Sequence, residues 1–491
     1  MVEQTKTRMV AGPFNRVEGD MEVRLDVVGH QVERAWVNAP LFRGIERVLE
    51  GRSPMDALVI APRICGICSV SQSHAAALAL GGVMGMVPTY NGQLATNLIL
   101  ATENLADHLT HFHLFFMPDF ARPDYEGRHW YSRTHERFAA LRGSAVRNIL
   151  QTRALALHVM GILAGHWPHT LAIQPGGLSR GVEKQECARL LGILGGVRAA
   201  LEETLYGARL EDVTALEAPE DLWQWEGKQN GSDFGLFLQI ARDLSLQKSG
   251  RSYDRFLSFG AYPGFESDST QRHWRSGIFE SGSLRALNIH DVREDHAFSH
   301  MAETVQPLPP FEGTTEPQMR DDTAYTWCKA PRMAGQPCET GALARQLMAG
   351  QPLVRGLVAE GGGNVLSRVV ARLIEVARLV PLMEQWVRAL RPGAPWCHAQ
   401  PNAVPDGRSI GMTEAARGAL GHWLCVEKGV ISRYQIIAPT TWNFSPRDRA
   451  GVEGPLEYAL RGAPVRAGEQ TPLSVQHIVR SFDPCMACTV H

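Results

Sequence analysis

Four cysteines form two Cys-x-x-Cys pairs, one near each end of the chain. Cys65 and Cys68 enclose Gly-Ile, and Cys485 and Cys488 enclose Met-Ala. Two intervening residues let the backbone turn so that both sulfurs point at one metal ion. The pairs could therefore form a four-thiolate site if the fold brings the two ends of the 491-residue chain together. The other cysteines stand singly, so the pattern is not that of a disulfide scaffold.

The spacing alone leaves the identity of the metal open. A structural zinc site with four cysteines is the simplest interpretation, whereas soft thiolates also suit nickel and iron–sulfur clusters. Arg63 precedes Cys65 by two residues, and Asp483 precedes Cys485 by two. A reactive centre with anionic ligands needs such cationic and hydrogen-bonding neighbours, and a structural zinc site does not.

Composition argues against several other classes of protein. The chain carries 49 Lys and Arg against 51 Asp and Glu, a formal net charge of −2, and no basic run indicates nucleic-acid binding. No segment reaches the roughly 18 consecutive apolar residues of a membrane helix, and the N-terminus does not have the pattern of a signal peptide. We therefore expect a cytoplasmic protein that binds no nucleic acid and does not insert into a membrane.

The residue pattern predicts β structure at the N-terminus. Apolar and charged residues alternate over 20–27 and again near 32–37, with a Gly-His turn between them, which predicts a β hairpin in a region of about 10–40. No repeat or clear linker divides the chain. We therefore expect a single domain over 1–491, with a metal-binding segment at 480–491.

Helical periodicity dominates the rest of the sequence, so the predicted fold class is α+β and mainly helical. Apolar stripes at helical spacing predict long helices. One begins near residue 91, and three others cover 144–165, 184–206 and 366–390. The helical core should occupy about 90–250 and 365–430. Between about 257 and 345, frequent Pro, Gly, Asp and Thr predict long loops with short elements.

The residues around both cysteine pairs resemble the two signature motifs of the large subunit of nickel–iron hydrogenases. These motifs read RICGIC at 63–68 and DPCMACTVH at 483–491. Five further stretches match family motifs in the family's order: FNRVEGD at 14–20, LFRGIE at 41–46, ENLADHLTHF at 103–112, ARGALGHW at 416–423 and RYQIIAPTTWN at 433–443. The resemblance covers nearly the whole chain. It implies the family's fold, with a central helix bundle and both termini meeting at a buried metal site.

The resemblance implies a nickel–iron centre. Cys65 and Cys485 match terminal nickel ligands, and Cys68 and Cys488 match ligands that bridge nickel to an iron carrying one carbon monoxide and two cyanides. The family splits H₂ heterolytically, so a nearby base must take a proton. Cys485 matches that base.

Two more matches carry catalytic roles. Glu18 in RVEG occupies the family's proton-relay position, although its local sequence alone would favour a salt bridge with Arg16. Arg417 in ARGAL should lie against the cyanides and the open side of the centre, because a guanidinium supplies fixed donors to anionic ligands.

Several other polar residues are assigned by the resemblance alone. Thr440 should donate to a cyanide, and Asp107 and Asp483 should orient Arg417. Gln72 stands where most relatives have a His, and it can donate a hydrogen bond to a cysteine sulfur without titrating. A further departure is Ala416, where many relatives have Pro.

The resemblance also implies a magnesium ion near the C-terminus. Glu46 in FRGIE and His491 match two of its ligands, and the backbone carbonyl of Ile436 is expected to be a third. Carboxylate and carbonyl oxygens suit this hard cation, so the histidine is the unusual member of the set.

Ile67 and Phe115 stand where most relatives have Val and Leu, at the end of the hydrophobic gas path. Their larger side chains are expected to narrow this path, and a narrower path hinders O₂ more than the smaller H₂. Together with CGICSVSQS, they make the chain similar to the cytoplasmic, hydrogen-sensing regulatory hydrogenases. The main interpretation is therefore an O₂-tolerant hydrogen sensor with slow hydrogenase turnover.

Two other interpretations remain, an uptake hydrogenase and a metal-free relative of the complex I quinone-site subunit. The isolated cysteines provide no iron–sulfur cluster, so electrons must leave through a small partner subunit that carries the clusters. A sensor would in addition form a higher oligomer and signal to a histidine kinase.

Overall fold

A bundle of long helices forms the centre of the molecule, which is described here by a computed structural model over residues 6–264, 272–320 and 322–489. The α-helices in these ranges are α1 Ile45–Leu49, α2 Ala57–Ile60, α3 Ser69–Met84, α4 Tyr90–Thr110, α5 Tyr131–Phe138, α6 Ser144–Ala164, α7 Lys184–Ala200, α8 Leu210–Thr214, α9 Pro219–Lys228, α10 Asp233–Asp243, α11 Ala342–Met348, α12 Pro352–Gly361, α13 Val365–Ala389, α14 Pro439–Asn443, α15 Pro455–Ala459 and α16 Leu473–Phe482. Helix α4 packs on both α6 and α13, and α7 also packs on both.

Helices α4 and α13 are buried along nearly their whole length. Each has a capped start, because the Thr89 side chain accepts from Gly92 N and the Asn364 side chain accepts from Ser367 N. The helices predicted at 144–165, 184–206 and 366–390 are present, although the second passes into a π-helical turn at Leu201–Tyr206. The expected fold class, α+β with a helical centre, is confirmed.

Short antiparallel sheets surround the bundle. The strands are β1 Thr7–Ala11, β2 Glu22–Val28, β3 Gln31–Asn38, β4 Ile173–Gln174, β5 Gly177–Leu178, β6 Arg255–Ser258, β7 Ala261–Pro263, β8 Arg272–Trp274, β9 Gly277–Glu280, β10 Ser283–Arg285, β11 Val292–Asp295, β12 Ala330–Met333, β13 Gly407–Ala415, β14 Gly418–Glu427 and β15 Val430–Ile437. The predicted N-terminal hairpin is β2–β3, and β1 adds a third strand to it.

The helical core does not extend to residue 430 as expected. Helix α13 ends at Ala389, and residues 407–437 form the antiparallel sheet β13-β14-β15. Strand β14 is buried on almost every residue, so its sequence lacks the apolar–polar alternation of a half-buried strand. A continuous buried run gives no period that separates a strand from a helix.

Helix α3 lies directly on this sheet and so connects it to the first cysteine pair. It packs against β13 and β14. The approach is close enough that a Cβ at Gly411 would lie 1.9 Å from the Ala75 carbonyl oxygen. Glycine is therefore required there for α3 to reach the sheet. Among the described residues, no helix is long and apolar enough to cross a membrane.

Candidate metal centre

Both cysteine pairs lie at the ends of helical segments. Cys65 follows the 3₁₀ turn Ala61–Ile64, and Cys68 directly precedes α3. At the other end of the chain, α16 stops at Asp483, whose φ of 58° is left-handed and turns the backbone into Cys485. A short 3₁₀ turn then carries Cys488.

The fold brings all four sulfurs together in the interior. Their Sγ atoms all lie within 4.8 Å of one another, and all four residues are buried. Cys65 Sγ lies 3.5 Å from Cys485 Sγ, Cys68 Sγ lies 3.3 Å from Cys488 Sγ, and the Cys485 and Cys488 sulfurs are 2.8 Å apart. The two distant motifs therefore form one four-thiol cluster.

The N-terminal RVEG segment runs beside the last motif. Glu18 N donates to Pro484 O at 3.4 Å, and Met486 N donates to Glu18 O at 2.7 Å. At the next position the approach leaves no room for a side chain, because a Cβ on Gly19 would lie 2.9 Å from Ala487 N, and its φ of 78° also favours glycine. Residues 14–20 and 485–488 are thus held together by backbone contacts.

Arg43 joins the two motifs from outside the cluster. Its guanidinium donates to the Ile64 carbonyl, to the Arg63 carbonyl at 2.9 Å and to the Ala487 carbonyl at 3.5 Å. These acceptors belong to the segments just before Cys65 and just before Cys488. The arginine therefore links the backbones that carry both cysteine pairs.

Arg417 is buried beside the cluster, and the two carboxylates that the resemblance assigns to it hold its guanidinium. Nη1 donates to Asp107 Oδ2 at 2.5 Å, Nη2 donates to Asp483 Oδ1 at 3.1 Å, and Nε donates to the Asp483 carbonyl at 3.0 Å. Burial lowers the pKa of Arg417, but the two carboxylates outweigh burial and hold the pKa well above its usual range. The guanidinium is therefore a permanent cation at this site.

Thr440 contacts the second cysteine pair, and Gln72 stands one helical turn after the first pair. The Thr440 hydroxyl oxygen accepts from Cys485 N at 3.1 Å, so its own proton is available to another acceptor. Gln72 is fully buried on α3, four residues after Cys68. Its Oε1 lies 2.8 Å from His422 Nε2, while its Nε2 has no hydrogen-bond partner among the described residues.

The electrostatic environment suits an anionic metal site with a proton acceptor beside it. Burial raises the pKa of Glu18, and the negative charge of Cys65 raises it further, against the opposing effect of Arg417 and Arg43. Hydrogen bonds from the neighbouring thiols lower the pKa of Cys65 well below that of an ordinary thiol. The Arg417 guanidinium supplies a fixed positive charge beside the thiols.

The donor set fits a nickel–iron centre. Four buried thiols within reach of one another can hold a metal that prefers soft ligands. A fixed cation adjoins them, and two buried carboxylate oxygens near it, Asp107 Oδ1 and Asp483 Oδ2, lack hydrogen-bond partners among the described residues. A structural zinc site would not require such a polar environment.

Two of the three expected magnesium ligands, Glu46 and Ile436, are in contact. Glu46 is fully buried, and Ile436 donates to it through its backbone N at 2.7 Å. The Thr315 hydroxyl also donates to Glu46, and the Lys329 ammonium lies 3.2 Å from the same carboxylate and 3.4 Å from Glu294. His491 lies outside the described residues. Lys329 therefore places a cationic side chain where the resemblance implies a cation.

Ile67 and Phe115 are both half-buried. Ile67 packs against the main core between the two cysteines of the first pair. Phe115 lies in a π-helical turn, His111–Phe116, that continues α4, and its carbonyl accepts from Arg16 at 3.1 Å. Such turns are frequent at functional sites.

Sequence reasoning missed a buried arginine that fixes the backbone leading to Arg417. Arg345, with no exposed surface, donates to the carbonyls of Ala415 and Ala416 at 2.8 Å each. It also pairs with Glu375 at 2.7 Å and Glu414 at 2.9 Å. No motif signals this role, because the two carbonyls lie on β13 and the turn after it.

A second missed residue is Glu103, within the quoted ENLADHLTHF motif. Its buried carboxylate accepts from Val70 N at 2.8 Å and Ser71 N at 2.9 Å, in the first turn of α3. A carboxylate at a helix N-terminus is favourable because it satisfies unpaired N–H groups. Glu103 therefore anchors the helix that begins directly after Cys68.

Comparisons with known proteins agree with this geometry. The family model described as nickel-dependent hydrogenase matches residues 43–122 and 144–491. The Hydrogenase-2 large chain of Escherichia coli K12 is 26% identical and aligns over 99% of this chain and 97% of its own length. The periplasmic [NiFeSe] hydrogenase large subunit of Desulfomicrobium baculatum is 27% identical over 99% and 95%. The solved Ni-Fe-Se hydrogenase of D. vulgaris Hildenborough in the reduced state superposes with a TM-score of 0.85 at 26% identity, over 99% of this chain and 100% of the other.

These relatives correct one expectation. The sequence led us to expect a cytoplasmic protein, and that expectation is wrong. The relative from Desulfomicrobium baculatum, which aligns over 99% of this chain, is named as a periplasmic enzyme. The missing signal-peptide pattern at the N-terminus therefore did not identify the compartment.

Proposed function

Because this chain belongs to the nickel-dependent hydrogenase family and is the large subunit of such an enzyme, we propose that it oxidises H₂ in an uptake-type hydrogenase at the four-cysteine cluster. The observation that carries the proposal is the single buried cluster that the two distant motifs form, with sulfurs within 4.8 Å of one another. The same cluster argues against a metal-free relative of the complex I quinone-site subunit, which would have no need of four converging thiols. The similarity to hydrogenase large chains over 99% of this chain supports the hydrogenase activity.

The sulfurs of Cys65, Cys68, Cys485 and Cys488 would hold the nickel–iron centre. When bound, such a centre supplies the Lewis acid and electron acceptor that make H₂ acidic enough to lose a proton. Carbon monoxide and cyanide on the iron are part of the same proposal. All four thiols are buried, so the protein excludes water from the place where charge develops.

Proton movement is the part of the reaction that this chain's own residues perform. Cys485 Sγ would take the proton from H₂, and the Glu18 carboxylate would receive it. The backbone hydrogen bonds between the Glu18 and Cys485 segments, at 2.7 and 3.4 Å, hold the two residues at paired positions of a parallel bridge. The raised pKa of Glu18 suits a group that must both accept and release a proton.

Arg417 would stabilise the anionic ligands of the iron and the open side of the centre. Its guanidinium is fixed by three hydrogen bonds to Asp107 and Asp483, so little reorganisation accompanies the reaction. Thr440 would donate its hydroxyl proton to a cyanide while accepting from Cys485 N.

Electrons would pass to a small subunit with iron–sulfur clusters. The five cysteines outside the cluster are Cys187, Cys328, Cys338, Cys397 and Cys425, and they are scattered singly in sequence. Among the described residues, the four-cysteine cluster is the one group of three or more His, Cys, Asp or Glu side chains close enough together to hold a metal ion. An electron carrier must therefore come from a partner.

A hydrogen-sensing role is the second candidate function. The observation that favours it is the position of Ile67 between Cys65 and Cys68, packed against the core, with the larger Phe115 as its proposed companion on the gas path. In this case turnover would be slow, and a higher oligomer would signal to a histidine kinase.

Three measurements on the purified heterodimer test these proposals. Nickel and iron should be present together, infrared bands of bound carbon monoxide and cyanide should appear, and Cys485→Ser should lose both. A protein that carries zinc, or that shows no such bands, would overturn the proposed function. Rapid H₂-dependent dye reduction supports the uptake role, whereas slow turnover with loss of H₂-responsive gene expression in a deletion strain supports the sensor.

A further inference from the structure

A chain of three buried side chains leads from the central sheet to the helix that begins after Cys68. Gln72 on α3, His422 on β14 and Tyr434 on β15 each have no exposed surface. His422 Nε2 lies 2.8 Å from Gln72 Oε1, and His422 Nδ1 lies 2.8 Å from Tyr434 Oη. Both ring nitrogens of the histidine are therefore engaged in one line of hydrogen bonds.

The register of β14 and β15 holds these three hydrogen-bonded side chains in place. His422 pairs directly with Ile436 across β14 and β15, so Tyr434, two residues from Ile436, is on the same face as His422. The two rings meet edge to face with centroids 5.5 Å apart. Helix α3 packs on β14 and presents Gln72 to the histidine. Each partner is fixed by an element of the core.

Hydrogen-bond chemistry gives the chain a direction. An amide oxygen only accepts, so His422 Nε2 must donate to Gln72 Oε1, and a neutral imidazole then has to accept at Nδ1. Burial raises the pKa of Tyr434 above its usual range, so the phenol keeps its proton and can donate it to Nδ1. The donors thus run from Tyr434 through His422 to Gln72.

With the donors in this order, the last donor of the series is the Gln72 amide nitrogen. Gln72 Nε2 is buried and has no partner among the described residues, and an unsatisfied buried donor is costly. Side chains on an α-helix lean toward its N-terminus, and α3 begins directly after Cys68. In the opposite orientation the amide nitrogen would meet His422 and the oxygen would be the free end, and an amide oxygen cannot donate to a thiolate.

We propose that His422 and Tyr434 are positioning residues that hold the Gln72 amide so that its Nε2 donates to the Cys68 thiolate of the loaded centre. The inference deepens the proposed function and rests on it, because the thiolate must belong to a nickel–iron centre. A hydrogen bond to a ligating sulfur withdraws electron density from the metals. Tyr434 would thus influence the centre through two intervening side chains.

The test is the infrared spectrum of the loaded heterodimer carrying Tyr434→Phe. Without the hydroxyl donor, His422 no longer prefers one tautomer, and the Gln72 amide can turn. Part of the carbon monoxide band should move to lower wavenumber, because the sulfur then donates more charge to the iron. Tyr206→Phe is the matched control, since Tyr206 is fully buried and also has one hydroxyl hydrogen bond, to the Leu373 carbonyl at 2.6 Å.

A double variant separates positioning from general loss of structure. Gln72→Met removes the amide donor while keeping side-chain length, and should itself shift the band. If Tyr434 acts through Gln72, Tyr434→Phe adds no further shift in the Gln72→Met background. The melting temperature of the metal-free protein should fall equally for Tyr434→Phe and Tyr206→Phe.

The possible results are distinct. A band that Tyr434→Phe leaves unchanged, or a shift of equal size in the Gln72→Met background, would overturn the positioning role while leaving the proposed function intact. A native protein without any carbon monoxide band would overturn the proposed function, and this inference with it.

Discussion

Glu18 and Cys485 pair as neighbouring residues of a parallel β-bridge, although they stand near opposite ends of the chain. The bridge consists of backbone hydrogen bonds to the residues on either side of Cys485, at 3.4 Å to Pro484 and 2.7 Å from Met486. Its geometry therefore does not depend on the Glu18 side chain. This property makes it possible to alter the carboxylate without displacing the cysteine.

Glu18→Gln should abolish proton transfer while leaving the metal centre assembled. Glutamine keeps the size of the side chain but does not exchange a proton, so H₂ oxidation and H/D exchange should fall by about 10²- to 10⁴-fold, the range for loss of a general base. Elemental analysis and activity assays check both parts. Glu22→Gln, at the start of β2, is the control and should keep full activity. Retained exchange in Glu18→Gln would exclude Glu18 from the relay.

Arg417→Lys should lose most activity without unfolding the protein. A lysine keeps the positive charge between Asp107 and Asp483 but not the planar set of donors, so turnover should fall by about 10²- to 10³-fold, as for a lost electrostatic donor. Dye reduction at saturating H₂ measures this loss. Arg137→Lys, which disturbs a similar pair between α5 and Asp233 at 2.7 Å, should leave turnover unchanged. Near-native turnover of Arg417→Lys would contradict the assigned role.

The sequence predicts the parts of the fold that have a clear period. The β2–β3 hairpin follows from strict alternation, and α4 and α13 follow from long apolar stripes. Strand β14 was not predicted, because both of its faces are buried and its sequence therefore has no polar side. The turn between β13 and β14 carries Arg417, a residue that only the resemblance identified.

The sequence predicts those residues of the site that belong to a motif. The cysteine spacing indicated the cluster, and the structure adds a contact that links the two pairs, the hydrogen bonds from Arg43 to the backbones before Cys65 and Cys488. The partnership of His422 with Gln72 depends on the register of β14 and on the packing of α3, which no local pattern encodes. The pairing of Lys329 with Glu46 likewise arises from tertiary contact between distant segments.

Glu457 should make stability decrease as the pH rises. Burial raises the pKa of this carboxyl to about 7 from 4.5, against Arg447, whose Nη1 lies 3.3 Å from Oε2. Because the folded-state pKa exceeds the unfolded one, the stabilising contribution is complete below pH 4.5 and is lost as the pH rises to 7. The full change is roughly 3 kcal/mol.

Glu457→Gln removes this titration and provides the measurement. The variant should lower the melting temperature more at pH 5 than at pH 8, since Gln replaces a neutral acid at low pH and a buried anion at high pH. Glu453→Gln, a neighbouring carboxylate paired with Arg447 at 2.7 Å, is the comparison. A destabilisation by Glu457→Gln that does not vary with pH would contradict the assignment.

A magnesium ion near Glu46 must share this carboxylate with the Lys329 ammonium. The Lys329 ammonium already lies against the Glu46 and Glu294 carboxyl groups, at 3.2 and 3.4 Å, and burial raises the pKa of Glu294 to about 7. We expect one magnesium per heterodimer by elemental analysis, with loss of the ion in Glu46→Gln and retention of nickel. Magnesium absent from the native protein, with Lys329→Met restoring binding, would mean that the ammonium replaces the metal.

Ile67 and Phe115 should decide how readily O₂ reaches the centre. Ile67 packs against the core between Cys65 and Cys68, and Phe115 lies on the turn that continues α4. Replacing them by Val and Leu removes a methylene and a ring from the proposed gas path, which admits the larger O₂ more than it changes entry of H₂. The double variant Ile67→Val, Phe115→Leu should therefore lose H₂ oxidation faster in air, with unchanged activity under strict anaerobiosis. Phe112→Leu, a buried aromatic on the same turn, controls for loss of packing. If the double variant inactivates no faster than this control, the two residues fill the core and do not restrict the gas.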